Sequence, residues 1–116
     1  MNFKTKDSGK RSEYQSGMVR DLNEGKARFD LLHPEGVPYN EQILTRFADL
    51  MSRGAVKYGE RNWEKALGEV EMKRFKESAL RHCEQWFSGE TDEDHAVAVF
   101  FNIMGYETTK YKLDNK

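Results

Sequence analysis

The sequence predicts an all-α protein: a three-helix core with an irregular N-terminal arm, assembling as a homo-oligomer. Beyond residue 38, three stretches repeat apolar residues at three- and four-residue spacing, the signature of helices with one buried stripe. Before residue 38 neither helical nor strand periodicity is sustained. The third stretch carries Phe100, Phe101, Ile103 and Met104, more apolar surface than two neighbouring helices can cover, which predicts further copies of the chain.

Residues 1–15 are polar and charged and are expected to form a flexible tail, leaving 16–113 as a single helical domain. Between 16 and 38 the apolar residues Met18, Val19, Leu22, Phe29, Leu31 and Leu32 are too many for a tail and predict an ordered arm against the helices. The first helix is expected after Pro38, with Asn40 as N-cap, Tyr39 packing back as a staple and Glu41 in the first turn. Its stripe is Ile43, Leu44, Phe47, Leu50, Met51 and Ala55, and Gly59 in a left-handed conformation ends it after Tyr58. Residues 61–70 read as a loop with one helical turn near 62–67. A second helix over 71–88 has the stripe Met72, Phe75, Ala79, Cys83, Trp86 and Phe87, which makes Cys83 an inert core thiol. Thr91 caps a third helix over 92–111, with Asp94 placed to close a capping box. This helix is apolar from Ala96 to Met104 except at Asn102, so it should be central.

Composition narrows the function classes. At 116 residues the chain has room for one core, and 19 basic against 20 acidic residues leave a formal charge of -1. That balance argues against a general nucleic-acid or anionic-membrane binder. One cysteine excludes an internal disulfide, and no apolar run reaches the length of a membrane span or a secretory signal. The expected compartment is the cytoplasm.

Three clusters can carry chemistry. The first is cationic: Arg20, Lys26 and Arg28 in the arm, then Lys57, Arg61 and Lys65 around the stretch RGAVKYGERNW, residues 53–63. Glycines there let backbone amides approach phosphate oxygens, while Asn62 adds a polar contact and Tyr58, Trp63 and Phe29 can stack on a base. For any single one of these residues a solvated charge or a core aromatic is the better reading, while together they point to a phosphate-bearing ligand. The second cluster joins Ser78, Arg81 and His82 to His95 and Asn102, as ligand contacts, as a general acid or base, or as a buried structural network. His82 and His95 are its catalytic candidates. The third is acidic, Glu77, Glu84, Glu90, Asp92, Glu93 and Asp94; carboxylates on facing helices hold magnesium, but acids in a helix first turn also simply favour the dipole.

Three segments in order, SGMVRDLNEGKARFDLL, RGAVKYGERNWEK and SALRHCEQWFSGETDEDHAVAVFFN, resemble a small phage and prophage family described as the N-terminal domain of dATP/dGTP diphosphohydrolase. The resemblance covers roughly residues 16–104 and singles out Arg20, Asp21, Gly25, Lys26, Arg28, Asp30, Lys57, Tyr58, Gly59, Asn62, Trp63, Arg81, His82, Asp94, His95 and Asn102. It implies deoxypurine nucleotides and a phage setting in the host cytoplasm. The chain departs from the paired E-x-x-E and E-x-x-D helices of all-α pyrophosphatases. Glu90 and Glu93 make one such interval, but Glu77 and Glu84 stand seven residues apart.

Two readings follow. In the first the protein holds a purine nucleotide, linear or cyclic, through its cationic arm and loop without chemistry, no cofactor being certain, and sequesters a nucleotide signal of host defence. In the alternative it is a magnesium-dependent diphosphohydrolase converting dATP or dGTP to monophosphate and pyrophosphate, with Glu77, Glu90, Glu93 and Asp94 on the metal and Lys57 and Arg61 on the phosphates.

Overall fold

The computed structural model describes residues 3–116, which divide into two compact units, 3–32 and 33–116. In the first unit, strands β1 (Arg11–Glu13) and β2 (Val19–Asp21) pair antiparallel, with Arg11 opposite Asp21 and Ser12 opposite Arg20. This hairpin was not foreseen, because three residues are too few to show alternation. Asp21 organises the unit. Its carboxylate accepts from the hydroxyl of Ser8 at 2.5 Å and the backbone N–H of Ser8 at 3.2 Å, with Arg11 at 3.4 Å and Lys26 at 3.6 Å. The Ser8 hydroxyl, aided by the neighbouring lysine, lowers the Asp21 pKa.

The second unit is three helices: α1 (Ile43–Tyr58), α2 (Glu69–Phe87) and α3 (His95–Asp114). The mostly helical class and the three helices agree with the sequence reading. Their starts do not. Residues 39–41 form a separate 3-10 turn, so Gln42, with extended ψ 142, takes the N-cap position expected of Asn40, and Tyr39 stays exposed rather than packing as a staple. α2 begins two residues early because the Glu71 carboxylate reaches back to accept from the backbone N–H groups of Leu67 and Gly68, satisfying donors that no helical carbonyl can. α3 begins three residues late. Asp94 sits at its N-cap but makes no side-chain cap bond, since its carboxylate is held by both Arg46 donors at 2.8 and 2.7 Å. Two bonds to a guanidinium outcompete one bond to a backbone N–H, although both kinds are charge-assisted.

α3 is the central helix, as expected. It buries His95, Val97, Ala98, Asn102, Gly105 and Thr109 and packs against both α1 and α2. The closest approach is at Gly105, where an added Cβ would stand 2.5 Å from Cε1 of Phe75. Phe75 meets Phe101 edge-on at 6.1 Å, and Phe101 meets Trp63 edge-on at 6.4 Å. One chain of rings therefore ties α2, α3 and the loop after α1. The Lys112 ammonium closes the same side by donating to the Glu64 carbonyl.

The buried face of α2 differs from the predicted stripe. His82 is buried, while Cys83, Trp86 and Phe87 are exposed. The polar His82 occupies a core position because it is hydrogen-bonded there, and this rotation carries Cys83 out of the core. Its reading as an inert core thiol is corrected accordingly. Of the described residues, none in α1 is fully buried. Among the described residues no helix is long and apolar enough to cross a membrane.

Gly105→Ala is expected to destabilise the fold by about 1–3 kcal/mol, because the Phe75 ring must leave its packed position. Urea unfolding followed by far-UV circular dichroism measures it; an unchanged midpoint would show that the approach of α2 to α3 is not tight there.

Candidate functional site

Two features in the second unit gather the residues the sequence nominates. The first is an apolar cavity of about 180 Å³ between the end of α1, the following loop and α3, lined by Leu50, Met51, Gly54, Ala55, Tyr58, Gly59, Arg61, Asn62, Trp63 and Phe101. Its wall is built by an abrupt reversal of the chain. Gly59 adopts φ 95 with ψ 151, a region open essentially to glycine alone rather than the left-handed helical conformation expected of a C-cap. Arg61 then turns left-handed at φ 58, and a 3-10 turn over Asn62–Lys65 brings Trp63 back onto Phe101. The Arg61 guanidinium is held 2.6 Å from Glu64 at the exposed side. Lys57 lies beside Tyr58, its ammonium 5.0 Å from the ring centroid.

The second feature is a hydrogen-bonded chain at the start of α3. Asp92 Oδ1 lies 2.7 Å from His95 Nε2, and His95 Nδ1 lies 2.8 Å from His82 Nδ1. The His95 hydrogen bond holds the Asp92 carboxyl below its ordinary value, so it is an anion at neutral pH and accepts from Nε2–H. With both imidazoles neutral, His95 Nδ1 is then an acceptor, and His82 must donate to it from Nδ1–H. That leaves the lone pair on His82 Nε2. No buried side-chain nitrogen or oxygen among the described residues lacks a partner, and Nε2 has none, so this atom keeps access to solvent. Burial first, then the neighbouring Arg81 charge, lowers the His82 pKa. The chain can therefore present a neutral, oriented base whose proton load is shared back towards Asp92.

Electrostatics joins α1 to this region. Arg46, Arg53 and Lys57 recur at seven- and four-residue intervals, one side of α1. Arg46 and, more weakly, Arg53 lower the Asp94 pKa. Tyr58 and, more weakly, Glu93 raise that of Lys57. A cationic edge thus faces the acidic start of α3.

Of the nominated ligand contacts, Tyr58, Arg61, Asn62 and Trp63 share the cavity, with Lys57 beside it. His82 and His95 meet directly. Asn102 is buried but donates to the Ala98 carbonyl one turn back, and Arg81 points outward to Gln85. Arg20, Lys26 and Arg28 belong to the first unit, where Lys26 pairs with Asp21 and Arg28 with Asp30 at 2.6 Å. The nominated metal set is not assembled: Glu77 lies 3.9 Å from Lys73, Asp94 is held by Arg46, and among the described residues the convergent group is Glu90, Asp92 and His95, with ligand atoms within 4.8 Å of one another. Two carboxylates and an imidazole suit a transition metal better than magnesium, which prefers an all-oxygen shell. Sequence reasoning passed over Arg46, whose register with Arg53 and Lys57 was visible, and Phe101, which no pattern separates from core.

The fold defines a small, mostly helical domain. The chain belongs to the family described as dATP/dGTP diphosphohydrolase, N-terminal, whose profile matches residues 16–114. Neither curated proteins nor solved structures give a match.

The neutral His82 imidazole predicts a pH dependence. Its folded pKa lies below the ordinary 6.5, so the unfolded chain binds the proton more readily, and stability is full above 6.5 and declines as pH falls below it. Thermal unfolding between pH 7.5 and 5.5 should show this decline, and His82→Gln should flatten it. An equal slope in the variant would show that another group titrates.

Proposed function

We propose that the protein binds a purine deoxynucleotide, with the base in the cavity beside Tyr58 and Trp63 and the phosphates outside it along the Lys57 and Arg53 edge. The observation that carries this is the gathering of Tyr58, Arg61, Asn62 and Trp63 around one cavity of about 180 Å³. An apolar cavity of ~150 Å³ accepts an aromatic ring, whereas sites for whole drug-sized ligands occupy ~300–1,000 Å³. The cavity suits a base, and charged phosphates belong at its cationic rim.

Holding is favoured over hydrolysis because the acids of the nominated magnesium set are separated, and one of them is neutralised by Arg46. A protein that holds its nucleotide without turnover acts as a sink, and a nucleotide signal of host defence is a fitting cargo. The hydrolytic reading rests on the convergence of Glu90, Asp92 and His95. In that case His95 Nε2 would give up its proton to bind a metal, and its Nδ1–H would donate to His82, a supporting partner of the kind metal-bound histidines have.

Calorimetric titration with dATP and dGTP, with and without magnesium, followed by recovery of the nucleotide, separates these outcomes. Binding without magnesium and intact recovery are expected, with Trp63→Ala weakening affinity by ~1–3 kcal/mol and Lys57→Ala by a smaller, salt-dependent amount. Metal-dependent release of pyrophosphate, abolished by Glu90→Gln, would overturn the binding reading in favour of hydrolysis.

A further inference from the structure

The helical unit leaves an ordered apolar face on α2 and α3.

The two helices run antiparallel, since Phe75 lies at Gly105 and His82 at His95. On one flank the Lys76 ammonium stands 5.8 Å from the Tyr106 ring, which fixes which side of α2 adjoins which side of α3. From that pair, successive turns along α2 bring Leu80, Cys83 and Phe87, and successive turns back along α3 bring Ile103, Val99 and Ala96. The same flank therefore carries apolar side chains on both helices for three turns. Leu80 is 64% exposed, Phe87 82% and Ile103 48%. Buried hydrophobic residues in the whole described chain are, by contrast, Ala66, Val97 and Ala98. So much apolar surface in register on two adjacent helices is not how a monomer ends its core.

We infer that a second copy of the chain packs on this flank, α2 and α3 of each copy forming a two-fold four-helix arrangement. Self-complementarity decides for a second copy. Charge agrees with a two-fold axis. Lys76 edges the N-terminal half of the face on α2 and Glu84 its C-terminal half, so an antiparallel partner brings each cation towards the other copy's carboxylate. The centre of the face is Leu80 and Cys83, which places the single cysteine near the axis.

This inference is independent of the nucleotide site. Light scattering coupled to size exclusion, on the full chain at tens of micromolar, should give twice the 13.6 kDa of one chain. Leu80→Glu and Ile103→Glu should each weaken the dimer about thirtyfold or more while the far-UV spectrum is kept. In the unaltered protein, Cys83 should react with an aryl disulfide reagent faster as the protein is diluted. A monomer at tens of micromolar, a dimer that survives both substitutions with the fold intact, or a thiol reactivity independent of dilution would each overturn it.

Discussion

The hydrogen-bonded chain from Asp92 through His95 to His82 is the constraint on which the rest of the helical unit depends. Two imidazoles more than nine-tenths buried can stay there only if each polar atom that loses water gains a partner. The carboxylate satisfies one end and solvent the other. The chain fixes α2 against the start of α3, and Gly105 under Phe75 fixes it again further along. With α3 so oriented, Asp94 meets Arg46 on α1, and α1, which has no fully buried side chain of its own, is joined by that ion pair.

This order of causes explains what the sequence could show. Helical period, the central place of α3, the end of α1 at Gly59 and the short turn after it were legible because each is a local property of spacing or of glycine. Helix starts were not, since Thr91 and Asn40 are good caps by chemistry, whereas α3 starts after Asp94, whose carboxylate Arg46 holds, and a 3-10 turn precedes α1. Cys83 was misplaced for a related reason. Apolar spacing alone favours a stripe through it, whereas the pairing of His82 with His95 rotates α2 by a polar contact that periodicity cannot register. In the site, Tyr58, Asn62 and Trp63 were legible as an unusual mixture around two glycines. Arg46 was not singled out because a cation in mid-helix ordinarily needs no explanation.

Family membership and geometry bear on different questions. The family is described as dATP/dGTP diphosphohydrolase, N-terminal, and that description names no residue of the site. The geometry supplies an aromatic cavity with cations beside it, and a few ångströms of convergent Glu90, Asp92 and His95 at the start of α3. The chemistry of the second feature turns on where two protons sit. If His82 carries its proton on Nδ1, it offers a base to solvent and His95 is occupied by Asp92. If the protons shift by one place along the chain, His95 Nε2 becomes a ligand. One pair of histidines thus decides whether the start of α3 offers solvent a base at His82 or a ligand atom at His95.

Long-range nitrogen-15 correlation spectra of the two imidazoles at pH 7.5, without added metal, test this most directly. The account predicts His82 protonated at Nδ1 alone and His95 at Nε2 alone. A His82 protonated at Nε2, or a His95 imidazolium, would contradict it and remove the neutral relay from the centre of the fold.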